Sequence, residues 1–154
     1  MRRKNQRGLT LIELIIAFTL LTMLTAMSVP MARYRVRREK ERDLRNALHE
    51  LHTAIDKYKD ACDAGQLGPP VLGTECYPKT LEELVEGVKK ANEVDKKIKF
   101  LRRIPLDPFT NTREWGKRSV QDDPTSTNWG GQNVFDVFTK SMEKAPDGKP
   151  YSDW

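Results

Sequence analysis

Residues 8–32 read GLTLIELIIAFTLLTMLTAMSVPMA, and this stretch decides the fold. Between Leu9 and Ala32 it holds one charged side chain, that of Glu13. A helix of this length measures roughly 36 Å, which exceeds the hydrocarbon core of a bilayer, about 30 Å thick. The stretch therefore predicts a helix that can span a membrane.

Basic residues precede this helix and account for most of the net positive charge of the chain, which is +5. The 154 residues include 27 Lys and Arg against 22 Asp and Glu, and four of these basic residues are Arg2, Arg3, Lys4 and Arg7. By the positive-inside tendency they keep the N-terminus cytoplasmic and send the rest of the chain outward, although a second basic run at 33–38 argues partly against this orientation. Because the excess charge lies in a leader, the pI of 9.2 does not indicate a nucleic-acid partner.

Glu13 requires an explanation, because an ionised carboxylate in hydrocarbon costs several kcal/mol unless it has a partner. Cleavage after Gly8 would create an α-amino group on Leu9, one helical turn from Glu13 or close to the same residue of an adjacent copy. Two alternatives remain open. An ordinary signal peptide would be cut near Ser28 and release a soluble domain, but its apolar region is only about 7–15 residues long. A simple signal anchor would leave Glu13 without a function.

The basic leader, Gly8, the sequence LTLIEL and the apolar helix together resemble the N-terminus of type IV pilins and of type II secretion pseudopilins. The resemblance implies that a prepilin peptidase cuts after Gly8 and that the new N-terminus, Leu9, is methylated. It also implies that Glu13 aids assembly by meeting the N-terminal amine of a neighbouring subunit. Leu9 stands where the family usually has Phe. Pro30 matches a family proline at which the packed helix can lose hydrogen bonding.

A second apolar pattern follows the membrane segment. Apolar residues recur at spacings of 4, 3, 4, 3 and 4, which predicts one face of a helix: Leu44, Leu48, Leu51, Ile55, Tyr58 and Cys62. We expect a single helix from Leu9 to about Cys62, roughly 80 Å long. His49 and His52 lie three residues apart on it. Since no other ligands stand at metal-binding spacing, we interpret both histidines as solvent-exposed surface.

A loop and a short helix are expected next. The sequence DAGQLGPPVLGTE contains three glycines and two prolines, and Cys62 and Cys76 flank it. In an exported domain of this size the two cysteines suggest one disulfide, closing a loop of about 15 residues and contributing about 3 kcal/mol in the chain-entropy model. Thr80 and Glu83 form a capping-box pattern that predicts a helix to about Ala91. Its inward residues would be Leu81, Leu84, Val85 and Val88.

The last third of the chain predicts two to four short antiparallel strands. We expect them at 99–101, 103–104, 114–120 and 134–139, with a turn at 105–111. The predicted fold is α+β: a long N-terminal helix, transmembrane in its first half, with a small C-terminal domain of a short helix and a short antiparallel sheet, the lollipop form of pilins. The expected organisation is a leader at 1–8, a transmembrane and assembly segment at 9–32 and a periplasmic domain at 33–154.

The C-terminal pattern resembles the branch of major pseudopilins in its YP-x-TLEEL helix, its RRIPLDPFT turn, its EWG strand and its terminal Trp154. That branch binds calcium in a C-terminal loop rich in Asp. The counterpart here, 139–153, offers only Glu143, Asp147 and Asp153, with Asp122 and Asp123 in an earlier loop. We therefore assign no metal ligands and predict no cofactor. Trp129 with Gly130-Gly131, together with the disulfide, is an alternative means of ordering this region.

The sequence favours a structural role over catalysis. One domain's length excludes a multidomain enzyme, and the chain contains no Gly-rich phosphate loop, HExxH, CxxC or GxSxG motif. We predict a non-enzymatic subunit of a periplasmic pseudopilus, anchored in the bacterial inner membrane. Its partners would be other copies of itself, the prepilin peptidase, minor pseudopilins and an inner-membrane assembly platform. The alternatives are a type IV pilin for adhesion, motility or DNA uptake, and a monomeric membrane-anchored binding module.

Overall fold

The computed structural model describes residues 10–91 and 93–154, without the side chains of residues 27–30 and 93–95. Its elements are the helices α1 (Leu11–Asp63) and α2 (Leu81–Glu86), the strands β1 (Val88–Lys90), β2 (Glu93–Ile98), β3 (Gly116–Arg118) and β4 (Asp136–Phe138), and a C-terminal 3-10 turn (Tyr151–Asp153). β1 pairs antiparallel with β2, and β3 pairs antiparallel with β4, as two separate sheets. The predicted α+β class is confirmed.

The chain divides into two compact units, the first ending at Glu39 and the second comprising Lys40–Trp154. In the second unit the predicted stripe of α1 faces the core, where Leu44, Leu48, Leu51 and Ile55 are buried. Burying each such side chain contributes on the order of 2 kcal/mol. The stripe is therefore what attaches the rest of this unit to its helix.

Around the stripe the core is completed by α2, the segments between the strands and the C-terminal turn. Its buried members are Leu81, Leu84, Leu101, Trp115, Val134, Val137, Ala145 and Tyr151. The indole Nε1–H of Trp115 donates to the carbonyl of Pro105 at 3.0 Å, and the hydroxyl of Tyr151 donates to Glu41 at 2.7 Å. Both aromatic residues thus bury their rings without leaving their polar atoms unpaired.

The predicted turn at 105–111 is confirmed, and the buried carboxylate of Asp107 holds it. One oxygen accepts the backbone N–H of Phe109 at 2.8 Å, and the other accepts the hydroxyl of Thr139. The turn ends at Asn111, whose backbone has a positive φ of 55°. This conformation suits Asn better than most residues.

The prediction for α2 was wrong in its length. Leu81 and Leu84 are buried as expected, but the helix ends at Glu86 and not near Ala91. Gly87 ends it with φ +84°, at a point where a Cβ would lie 2.9 Å from the carbonyl oxygen of Ile98. The capping box was wrong in part: among the described residues the Thr80 hydroxyl caps no amide, whereas Glu83 reaches back to the N–H of Lys79 at 2.9 Å.

The strand predictions were correct for the second sheet and wrong for the first. β3 and β4 fall inside the predicted segments 114–120 and 134–139. Residues 99–104, which the structure describes, form no strand, and the first hairpin instead occupies 88–98. The amides of Phe100 and Leu101 both donate to the carbonyl of Leu84, so this segment turns against the end of α2.

Candidate assembly site

Glu13 lies in the first turn of α1 and is exposed. Its backbone N–H donates to the carbonyl of Thr10 at 3.1 Å, which begins the helix just before Leu11. A negative charge in this turn is favoured by the helix dipole. The predicted cleavage site at Gly8 and the methylation site at Leu9 lie outside the described residues.

The surface around Glu13 is almost entirely apolar and exposed. Among the described side chains from Leu11 to Met31, every large apolar one is exposed: Leu11, Ile12, Leu14, Ile15, Ile16, Phe18, Leu20, Leu21, Met23, Leu24 and Met31. By length and composition α1 is a candidate membrane span, near the N-terminus. We name this surface, from Leu11 to Met31 with Glu13 in it, the assembly surface.

The threonine hydroxyls described on the assembly surface form hydrogen bonds within the helix itself. The hydroxyl of Thr19 donates to the carbonyl of Ile16 at 2.8 Å, and that of Thr22 donates to the carbonyl of Thr19 at 2.8 Å. Such bonds hide hydroxyl groups from hydrocarbon. Glu13 is the one ionisable side chain between residues 10 and 32, and it has no such bond available to hide its charge from hydrocarbon. α1 runs from Leu11 to Asp63 and includes Pro30, whose proposed role in a packed assembly stays a prediction.

The other end of α1 is tied by the bridge between Cys62 and Cys76, whose Cα atoms are 5.6 Å apart. Glu75 and Cys76 adopt positive φ angles of 52° and 65°, which non-glycine residues rarely do. The bridged segment is fixed further where the hydroxyl of Thr74 donates to the carbonyl of Val71 at 2.8 Å. The bridge therefore holds the loop 63–75 against the end of the helix.

A polar network in the second unit was missed by sequence reasoning. Asp136 of β4 accepts from Nε2 of His52 at 2.9 Å and from Nη1 of Arg118 at 2.8 Å. It thereby links α1 to both strands of the second sheet. The interpretation of His52 as solvent-exposed surface holds only in part, since its side chain is 37% exposed and is bonded to Asp136, whereas His49 is exposed as expected.

The network shifts two ionisation equilibria. The hydrogen bond to Asp136 raises the pKa of His52, against an opposing effect of desolvation. Desolvation would raise the pKa of Asp136, but the hydrogen bonds from His52 and Arg118 outweigh it and leave this pKa lowered. Both shifts favour the charged forms. The arrangement is consistent with a structural ion network and does not resemble an acid-base pair facing a substrate.

The residues do not fit the calcium ion that the resemblance implies. Calcium takes six to eight oxygen ligands, with several carboxylates as a rule. Across residues 10–91 and 93–154, no three His, Cys, Asp or Glu side chains converge so as to hold a metal. In the segment 139–153, Asp147 already accepts the N–H of Lys149 at 3.1 Å.

Comparison with known proteins gives two matches. Residues 3–29 match the family described as the prokaryotic N-terminal methylation motif, a range that includes Gly8, Leu9 and Glu13. The chain is 29% identical over 120 residues to the type II secretion system core protein G of Pseudomonas aeruginosa. The aligned region covers 75% of this chain and 76% of that protein. No solved structure matches the chain.

The methylation motif, on a long apolar helix that precedes a small α+β domain, is the arrangement expected of the type IV pilin-like class. Within this class, the chain is similar along most of its length to core protein G of a type II secretion system.

Proposed function

We propose that the chain is a precursor of the pseudopilus subunit of a type II secretion system. It is cleaved after Gly8, held in the inner membrane by the assembly surface and polymerised into a periplasmic fibre that helps to export folded proteins across the outer membrane. One observation carries the proposal: the matched methylation motif coincides with an apolar helical segment whose large side chains are exposed and which bears a lone carboxylate.

Polymerisation follows from the chemistry of this surface. Apolar side chains on this scale are stable only in lipid or against other apolar surfaces. A helix can therefore leave the membrane when equivalent helices of other copies cover it. A contact between two different faces of identical subunits, if it does not close into a ring, generates a helical filament. The proposed structural role includes no catalytic step.

Glu13 would set the register of that filament. Once Gly8 is removed, Leu9 carries the new α-amino group, and the carboxylate of Glu13 in the adjacent copy can pair with it. Charges buried among apolar helices are tolerated only when paired, so registers that leave Glu13 unpaired are disfavoured. The pair thus supplies specificity that the uniform apolar surface lacks.

The partners and the location follow from the same reasoning. The basic leader would face the cytoplasm, where the prepilin peptidase cuts, and the unit beyond Glu39 would lie in the periplasm. The bridge between Cys62 and Cys76 is compatible with that oxidising compartment. Minor pseudopilins and an inner-membrane assembly platform would complete the machine.

The substitution Gly8→Ala tests this proposal. In the native host, the mass of wild-type protein taken from the membrane should correspond to a chain that begins with N-methylated Leu9, and Gly8→Ala should accumulate as uncut precursor. Gly68→Ala is a matched control, since a Cβ at that position meets open space without backbone strain. Wild-type material that begins at Met1 would contradict the proposal. A deletion strain that exports proteins normally but loses twitching would instead favour the pilin alternative.

A further inference from the structure

The segment 119–133 connects β3 to β4. We infer that its own side chains hold it closed, chiefly Asp122 and Asn133 with the adjoining Arg118, and that it needs no divalent cation. The resemblance to the major pseudopilins implies calcium in the segment 139–153, and the inference extends the absence of a fit for calcium to this earlier loop. It is independent of whether the chain assembles, because it concerns the folding of the second unit alone.

The carboxylate of Asp122 acts as a clamp across the segment. Its Oδ2 atom accepts the backbone N–H of Ser119 at 2.7 Å and that of Gly130 at 3.0 Å, which brings together two points eleven residues apart. These bonds, with Gly130 the larger cause, lower the pKa of Asp122. A Cβ at position 130 would meet Oε1 of Gln132 and lie 2.6 Å from Oδ1 of Asp122, so a larger residue there would have to displace both side chains.

Asn133 forms a second clamp and is completely buried. Its side-chain oxygen accepts the N–H of Val120 at 3.1 Å. Its backbone carbonyl accepts the hydroxyl of Ser119 at 3.0 Å and the indole N–H of Trp129 at 2.7 Å. Both ends and the far side of the segment are thus joined by bonds that a bound ion would otherwise have to supply.

A positive charge of the chain itself already lies against the segment. The Nε atom of Arg118 donates to the carbonyl of Ser126 at 2.9 Å, and its side chain is only 10% exposed. The ammonium group of Lys117 lies 4.4 Å from the ring centre of Trp129. The carbonyls of Ser126 and Asn133 are thus already engaged as acceptors of hydrogen bonds from the chain itself. The guanidinium of Arg118 therefore ties the middle of the segment to β3, while its charge is compensated by Asp136 of β4.

The inference is tested on the full-length chain in detergent, by thermal unfolding monitored by near-ultraviolet circular dichroism. The melting temperature should be the same in EGTA and in about 5 mM calcium chloride, a concentration above the dissociation constants of extracellular calcium modules, about 0.1–1 mM. Asp122→Ala should lower it by about 4–8 °C in both solutions. Asp122→Asn, which keeps an acceptor oxygen, should lose less. Asp123→Asn is the matched control, since that carboxylate bonds locally to Thr125.

A saturable rise in melting temperature with calcium that Asp122→Asn abolishes would overturn the inference. So would a wild-type melting temperature in both Asp122→Ala and Trp129→Phe. Should Asp122→Ala fail to fold, Trp129→Phe serves in its place, because it removes only the indole donor to Asn133. A lowered melting temperature of that variant, equal in EGTA and in calcium, supports the inference.

Discussion

The two halves of α1 belong to one helix but face different surroundings. Between Leu11 and Met31 the large apolar side chains are exposed, with Leu20 at 57%. Between Leu44 and Ile55 the apolar stripe is buried, with Leu51 at 0%. The partner of the second half is encoded in the same chain, whereas the first half has to find its partner in lipid or in another molecule. Stability should therefore depend on one half, and assembly on the other.

Removal of the Glu13 carboxylate, in the first half of α1, should have the largest effect, and that effect should be on assembly. In the proposed filament, Glu13→Ala leaves a buried α-amino group unpaired at every subunit contact, at a cost of about 3–5 kcal/mol each. We expect Glu13→Ala to be processed normally but to assemble at least about a hundredfold less, as measured by sedimentation of sheared fibres. The melting temperature of the second unit should not change.

Glu82→Ala is the control for this experiment, since Glu82 is an exposed acid in the first turn of α2. Its removal should leave the yield of fibres intact. If Glu13→Ala formed fibres in wild-type yield, the proposed pairing of Glu13 with the α-amino group would be contradicted. The carboxylate in the assembly surface would then lack an explanation.

A matched pair of leucine substitutions compares the halves directly. Leu51→Ala removes a fully buried side chain and should lower the free energy of unfolding by about 2–5 kcal/mol. Leu20→Ala should change it by less than about 0.5 kcal/mol, because the side chain makes no buried contact in the described chain. Denaturant unfolding of both variants in the same detergent measures the difference. Equal destabilisation would mean that the first half also has a partner within its own subunit.

The assembly surface and the buried stripe could both be predicted from sequence because each is a local, periodic pattern. An apolar run and a spacing of three and four residues need no knowledge of distant residues. The position of Glu13 in the first helical turn follows in the same way. The methylation motif is likewise contiguous, which is why a match to residues 3–29 can recognise it.

The errors concern contacts between residues that are distant in sequence. The apolar residues around Leu101 favoured a strand. In the structure Leu101 is buried, but its backbone N–H donates to the carbonyl of Leu84 and not to a neighbouring strand. The hairpin 88–98 carries mostly charged residues without an alternating apolar pattern, and its first strand is positioned by a bridge from Leu67 to Lys90. Propensity at these positions is overridden by tertiary contacts.

The network around Asp136 was unpredictable for the same reason. His52 precedes Asp136 by 84 residues, and Arg118 precedes it by 18. The sequence around a histidine on a helix face does not show whether a distant carboxylate will pack against it. Asp122 could have been found from the pattern of an acidic residue close to a Trp-Gly-Gly turn, but the closing partner at Ser119 depends on the fold of the segment.

The smallest expected effect is a pH dependence confined to the buried half of α1. Because the pKa of His52 is raised above its unfolded value of about 6.5, its bond to Asp136 contributes fully below that pH and is lost as the pH rises through the folded pKa. The pKa of Asp136 is lowered, so its contribution is present above about pH 4 and lost in stronger acid. Stability should therefore decline from about pH 6 towards pH 8, by less than about 1 kcal/mol since His52 is partly exposed and solvent screens the pair.

Urea unfolding at a series of pH values should detect this decline in the wild type and in His49→Gln, and a flat profile over the same range in His52→Gln. His49 is a fair control because it lies one turn away on the same helix and is exposed. An identical decline in both variants would show that another group titrates, and the link between α1 and β4 would then rest on packing alone. Assembly should be unaffected by either substitution, because neither histidine lies on the assembly surface.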